Sequence, residues 1–332
     1  MVFLNMIDEK RLLENLKEFS FPRLSGTEFE KRSFNLAKNK LEELDLIPTI
    51  QEFSFSTFYS RLYPKISIIL FNWLLIILFL NLDLIFNIVN LVLFFILIIV
   101  LISLTRNPER LRLGRKFYSQ NLFVNLSSQS KDKTSEKNIF LFSHLDSKGQ
   151  AFSIKTRIQL YFIWIISFLL ALIIIILNSF FLLKVFLSLT IIAFFILAIN
   201  CIATVLILVN ATNNKSNGAI DNASGITCVL ELLNYYSNPN NRPYNYDLWF
   251  VFTGAEESGT MGIRNFYRYI RYFDREKTFI INFDSIAQSI SLWDHGLLNN
   301  KNFKSFNYIL ENKEIMKLEK THRIYIGTYS DG

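Results

Sequence analysis

Four nearly continuous runs of Leu, Ile, Phe and Val, at residues 66–80, 84–104, 158–177 and 185–209, limit what this chain can fold into more than any other feature. A helix needs about 20 such residues to cross a bilayer, and three of the runs reach that length. Run 66–80 is shorter and carries Asn72, so it thins the bilayer, extends toward Asn81, dips in without crossing, or packs as a buried core helix. Turns near Asn81-Leu82-Asp83 and Asn178-Ser179 make the runs two hairpins. They account for a hydrophobic content of 51% in 332 residues, well above that of an ordinary soluble domain.

What lies outside the runs is ample for one hydrophobic core and too little for two large ones, which favours one domain carrying insertions. The expected division is a domain segment at 1–60, a transmembrane hairpin with basic flanks at 61–116, domain strands at 117–150, a second hairpin at 151–215, and the rest of the domain at 216–332. Residues 1–17 contain Asp8-Glu9-Lys10-Arg11 and no apolar core behind a basic start, so the N-terminus is expected to be retained. Cys201 lies inside an apolar run and Cys228 in an expected helix, giving neither a disulfide framework nor metal-ligand spacing. The net charge of +7 comes largely from basic residues bordering the runs, and no aromatic-basic recognition motif accompanies it. It fits a lipid bilayer as partner and not nucleic acid.

Helical periodicity covers 8–20 and 27–44, the second opening on Thr27-x-x-Glu30, the pattern of a capping box. Residues 47–58 alternate like a strand, and 117–126 and 138–142 read as an antiparallel pair joined by the polar loop 127–137. Beyond Asn210 the order is helix 221–236, strand 247–253, helix 259–273, strand 278–283, helix 302–318 and strand 323–328. This is an α/β layout, a mixed and largely parallel sheet sandwiched by helices. Ligands in such sheets bind beyond the carboxyl ends of the strands. His144, Glu256, Glu257 and Asp284 each fall just past an expected strand end, and Asp221 opens an expected helix.

These residues have the chemistry of a metal-dependent hydrolase. Two divalent ions a few ångström apart need a carboxylate between them, terminal ligands on each, and a base for the shared water. His144 can bind an ion through one ring nitrogen while Asp146, two residues on, accepts from the other. Asp221, beside small Ala223, Ser224 and Gly225, suits the bridge. In Glu256-Glu257 one carboxylate can ligate while the other stays free as base, and Asp284 adds a ligand.

Read in order, Ser143-His144-Leu145-Asp146, Asp221-Asn222-Ala223-Ser224-Gly225, Gly254-Ala255-Glu256-Glu257-Ser258-Gly259 and Asn282-Phe283-Asp284-Ser285 resemble the core motifs of the zinc aminopeptidase and glutamate-carboxypeptidase-like exopeptidases, the twenty-eighth family of metallopeptidases, which also includes glutaminyl cyclases. Phe21-Pro22-Arg23-Leu24-Ser25-Gly26-Thr27 resembles that family's N-terminal motif. The resemblance implies two zinc ions. His144 and Asp284 would hold one, Glu257 the other, and Asp221 would bridge. Glu256 would be general base and acid, Asp146 would orient the ring of His144, and the Asp221-Asn222 peptide bond would be cis.

The chain departs from the family in two ways. Members supply a last metal-binding histidine some two dozen residues after a segment like Ser330-Asp331, whereas this sequence stops at Gly332, with His322 and His295 as weak substitutes. A C-terminally incomplete sequence is the expected account, and as written the metal on Glu257 has two protein ligands, too few for a tight zinc site. The second departure is the pair of hairpins, one on each side of the His144 strand. If that strand's predecessor is antiparallel to its neighbours, both leave the sheet at the edge bearing His144, and the active site faces the bilayer. Basic flanks place the catalytic domain on the cytoplasmic side of the cell membrane.

The leading expectation is therefore a membrane-embedded zinc exopeptidase, an aminopeptidase acting on peptide or amide bonds. The alternatives are a glutaminyl-cyclase-like acyltransferase and a non-catalytic membrane protein that keeps the fold.

Overall fold

The computed structural model describes residues 7–130, 137–180, 186–287, 293–294 and 322–323. Along the chain run α1 (Glu9–Phe19), α2 (Glu28–Glu42), β1 (Thr49–Ser56), α3 (Tyr63–Leu80), α4 (Leu84–Thr105), β2 (Lys116–Leu126) and β3 (Lys137–His144). There follow β4 (Gly149–Gln150), α5 (Ile154–Phe180), α6 (Phe186–Val209), β5 (Thr212–Asn213), α7 (Gly225–Ser237), β6 (Tyr246–Thr253), α8 (Met261–Ile270) and β7 (Thr278–Asn282). The helix expected at 302–318, most of the strand at 323–328, Ser330-Asp331, His295 and the side chain of His322 lie outside the described residues.

The chain forms two compact units, one from Met1–Ser54, Tyr118–Lys148 and Asn214–Gly332, the other from Phe55–Phe117 and Gly149–Asn213. The first is built on a mixed five-stranded sheet of order β1-β2-β6-β3-β7. Strand β6 runs antiparallel to β2 and parallel to β3, and β3 is parallel to β7. The antiparallel pair expected from 117–126 and 138–142 is therefore not formed, because β6 lies between them. The reason is in β6 itself. Its residues alternate between two cores, Leu248, Phe250 and Phe252 in one and Trp249 and Val251 in the other, so it needs cover on both faces and takes a central place.

The first core packs Phe19 of α1, Phe34, Ala37 and Leu41 of α2, and Ile226, Val229 and Leu233 of α7 against one face of the sheet. The second packs Phe266 and Ile270 of α8 against Phe123, Phe140, Phe142 and Val251 on the other. Asp8 caps α1 by accepting from the Lys10 and Arg11 amides at 3.0 and 3.2 Å. The capping box expected at Thr27 is absent. Thr27 Oγ1 donates to Leu24 O at 2.6 Å, and Glu30 turns inward, reaching the Gly26 amide at 2.5 Å.

In the second unit all four long helices are long and apolar enough to cross a membrane. The short run reaches that length at its other end. A π turn, Phe58–Leu62, feeds directly into α3, giving a continuous 23-residue span, whereas Asn81 (φ 42°) stops the helix in a left-handed conformation. Asp83 then caps α4 by accepting from the Phe86 amide at 2.9 Å. Helix α5 continues through Asn178-Ser179 to Phe180, and residues 181–185 lie outside the described residues. Asn72 is buried, its Nδ2 donating to Asn200 Oδ1 at 2.8 Å and Thr204 Oγ1 at 3.1 Å, both on α6. Asn200 Nδ2 in turn donates to Trp164 O and Ser167 Oγ of α5, at 2.8 and 2.9 Å.

Candidate metal centre

Strands β6, β3 and β7 lie side by side and parallel, with His144 level with Thr253 and Phe142 with Asn282. Their carboxyl ends consequently deliver His144, the Gly254–Ser258 turn and Asp284 to one edge of the sheet. Asp221 arrives from the other direction. It does not open α7, as expected, but sits in a non-helical stretch (φ −113°, ψ 91°) ahead of the helix, which begins at Gly225. The Asp221-Asn222 peptide bond is cis.

Asn222 fixes this junction. Its Nδ2 donates to Ser143 Oγ at 3.2 Å and Phe283 O at 2.8 Å, and its Oδ1 accepts from the amides of Gly225 (3.1 Å) and Ser285 (3.3 Å). One buried amide thus joins the end of β3, the end of β7 and the start of α7. Gly225 is required where it stands, because a Cβ there would lie 2.1 Å from Phe283 O.

His144 is 1% exposed. Its Nδ1 lies 3.1 Å from the backbone O of Asp146 and 3.4 Å from Asp146 Oδ1. The residue two positions on does face the ring, with its carbonyl making the shorter contact. A carbonyl only accepts, so Nδ1 carries the proton and Nε2 presents a lone pair. That Nε2 is buried without a hydrogen-bond partner, 3.0 Å from Asp221 Oδ1 and 3.7 Å from Asp284 Oδ1. One donor atom from each of these three residues falls within 4.8 Å of the others. A lone pair facing two carboxylate oxygens is repulsive unless a cation lies between them, so this donor set fits a divalent ion of zinc type. With a proton as the only cation, burial opposes charging of the ring, but Asp146, Asp221 and Asp284 outweigh it and hold His144 well above the usual histidine range.

The glutamate pair reaches the same edge through Asp146, which is fully buried. Asp146 Oδ1 accepts from the Glu256 amide and Oδ2 from the Glu257 amide, both at 3.0 Å, and Ser25 Oγ donates to Oδ2 at 2.5 Å. Burial works to raise Asp146, yet His144, Ser25 and the Glu257 amide hold it below the ordinary carboxylate range. The Glu256–Ser258 turn is bracketed by left-handed Ala255 (φ 52°), Gly259 (φ 104°) and Thr260 (φ 56°). Burial pushes Glu257 up to about 7, with Asp221 and Asp146 adding to the rise and Lys148 and His144 opposing it.

The structure therefore gathers His144, Asp221 and Asp284 directly and ties Glu256 and Glu257 to them through Asp146. It also adds residues that the sequence reading missed. Glu30 accepts from the Ala255 amide at 2.7 Å and from Ser119 Oγ at 2.8 Å, holding the start of the Glu256 turn. Burial, aided by Asp146, pushes Glu30 up to about 8. Arg23 is a fully buried cation whose guanidinium donates to Leu145 O (2.9 Å), Asn217 O (2.9 Å) and Gly218 O (3.1 Å), fastening the loop after His144 to the loop before Asp221. Its burial lowers it to about 10.

A sheet whose parallel strands bring an imidazole and carboxylates to one edge, with a glutamate pair beside them, has the parts of a metallohydrolase centre. Residues 203–318, which carry Asp221, Glu256, Glu257 and Asp284, match the model of peptidase family M28. The solved zinc aminopeptidase of Bacillus subtilis is 13% identical with a TM-score of 0.48, over 97% of this chain and 80% of that one. An aminopeptidase from Aneurinibacillus sp. strain AM-1 is 11% identical with a TM-score of 0.43, over 87% and 74%. A glutaminyl cyclase from Fimbriiglobus ruber is 13% identical with a TM-score of 0.46, over 92% and 72%. No curated protein matches the sequence.

Proposed function

We propose that this chain is a membrane-embedded, zinc-dependent exopeptidase, an aminopeptidase, that hydrolyses peptide or amide bonds. The observation that carries the reading is the orphaned, buried Nε2 of His144, aimed between Asp221 and Asp284. His144, Asp221 and Asp284 would hold one zinc. Zinc bound there supplies Lewis acidity, polarising a carbonyl oxygen and lowering the pKa of water.

The remaining work belongs to the chain. Glu256 takes a proton from the attacking water as the new C–O bond forms, then returns it to the departing nitrogen as the C–N bond breaks. Asp146, gripping the backbone amides of both glutamates, fixes the turn that carries this base. Its ionised state lets it accept those hydrogen bonds.

The test is Glu256→Gln. The amide keeps the shape of the side chain but cannot take up the proton, so turnover of an aminoacyl-amide should fall about 10²–10⁴-fold with zinc content unchanged. Undiminished release of free amino acid by this variant would remove Glu256 as the base.

A further inference from the structure

Lys148 follows Asp146 by two residues in the loop leaving β3, and it plays no part in the chemistry above. Its Nζ donates to Glu257 O at 3.0 Å and lies 3.4 Å from Glu257 Oε2. Both side chains are largely buried, at 20% and 18% exposure. Among the described residues, the donors that gather around one point are His144, Asp221 and Asp284, and Glu257 is not among them. The carboxylate that a second ion would use already has a cation.

A paired carboxylate in a partly dry setting is charge-balanced, and a divalent ion approaching the same oxygen meets a fixed like charge at close range. The ammonium is also held by a neutral acceptor, the Glu257 carbonyl, so it is anchored as well as attracted. Coordination at Glu257 therefore requires Lys148 to leave both oxygens.

We propose that Lys148 is a built-in counter-cation that guards Glu257 against a second metal. The centre takes one divalent ion tightly at His144, Asp221 and Asp284, and a second only when the ammonium is withdrawn. This departs from the two-zinc expectation and rests on the zinc reading of the centre.

Zinc bound per chain is measured by elemental mass spectrometry after equilibrium dialysis against graded free zinc, using the purified full chain in detergent. Wild type should bind one equivalent tightly. Lys148→Gln keeps a donor for the Glu257 carbonyl while removing the charge, and should tighten binding of a second equivalent by roughly tenfold or more. The added change Glu257→Gln should abolish that gain. Lys148→Met, which keeps the stem without any donor, should behave as Lys148→Gln does, and first-site occupancy in each titration reports that the centre is folded. Two equivalents of comparable affinity in wild type, or an unchanged second affinity in both Lys148 variants, would overturn the proposal. Wild type that binds no zinc would instead bring down the zinc reading, and this inference with it.

Discussion

Glu30 shows how one buried side chain can be read correctly in type and wrongly in role. Its position three residues after Thr27 is a capping-box signature, which sequence alone offers as a local device at a helix start. The structure turns the carboxylate into the domain, where it binds the Gly26 and Ala255 amides and Ser119 instead. Such partners, 89 to 225 residues away for the last two, leave no local trace. His144, Asp221 and Asp284 were legible as candidate ligands because metal ligation restricts residue type and their motifs fall at expected strand ends or, for Asp221, at an expected helix start; Asn222, Lys148 and Arg23 had no role assigned because amides, lysines and arginines fit many settings. Glu30 also titrates. Its folded value of about 8 lies above the ordinary 4.5, so the folded state holds the proton more tightly than the unfolded one. Its contribution to stability is then fully present below about 4.5 and is lost as pH rises through about 8. Glu30→Gln should flatten the decline in thermal midpoint between those values, followed by unfolding scans in detergent. An equal decline in variant and wild type would assign the effect to another group.

Elements were legible where their pattern is local and misread where a neighbour decides. Strand β6 is the clearest case: its Leu248-Trp249-Phe250-Val251-Phe252 run announces a strand buried on both faces, but not which strands flank it. The expected pairing of β2 with β3 followed chain order and failed for that reason. Helix α3 is the converse. Asn72 weakened it as an apolar run, yet that residue is the point where α3 meets α6. Between apolar helices there is little hydrophobic gain from association in lipid, so interhelical hydrogen bonds and close packing carry more of the preference. Asn200→Leu removes the acceptor for Asn72 and the donors to Trp164 and Ser167 together. The expected cost is about 1–2 kcal/mol, read as a lower midpoint when the purified chain is unfolded with SDS in mixed micelles. An unmoved midpoint would mean that these bonds do not hold α3 against α5 and α6.

At the scale of the whole molecule, connectivity and charge make a prediction that no single element makes. The chain passes from the first unit to the second after Ser54 and again after Lys148, and each time returns after two long apolar helices. An even number of crossings in each excursion keeps every segment of the first unit on one side of a bilayer, as a single sheet requires. Arg61, Lys65, Lys155 and Arg157 in the first turns of their spans, and Arg106, Arg110, Arg112, Arg115, Lys116 and Lys215 just outside theirs, gather at those ends, whereas the opposite ends offer Asp83 and Lys184. Short basic flanks stay in the cytoplasm, so the first unit and its candidate metal centre are predicted to lie there. Substrates would then be peptides or amides present on the cytoplasmic side of the membrane. The check is thiol labelling in a background where Cys201 and Cys228 are alanine. A cysteine at exposed Asn240 should react with a membrane-impermeant maleimide only after permeabilisation, and one at exposed Asp83 should react in intact cells. The reverse pattern would place the centre outside, and reaction of both in intact cells would mean that the helix pairs do not cross as hairpins.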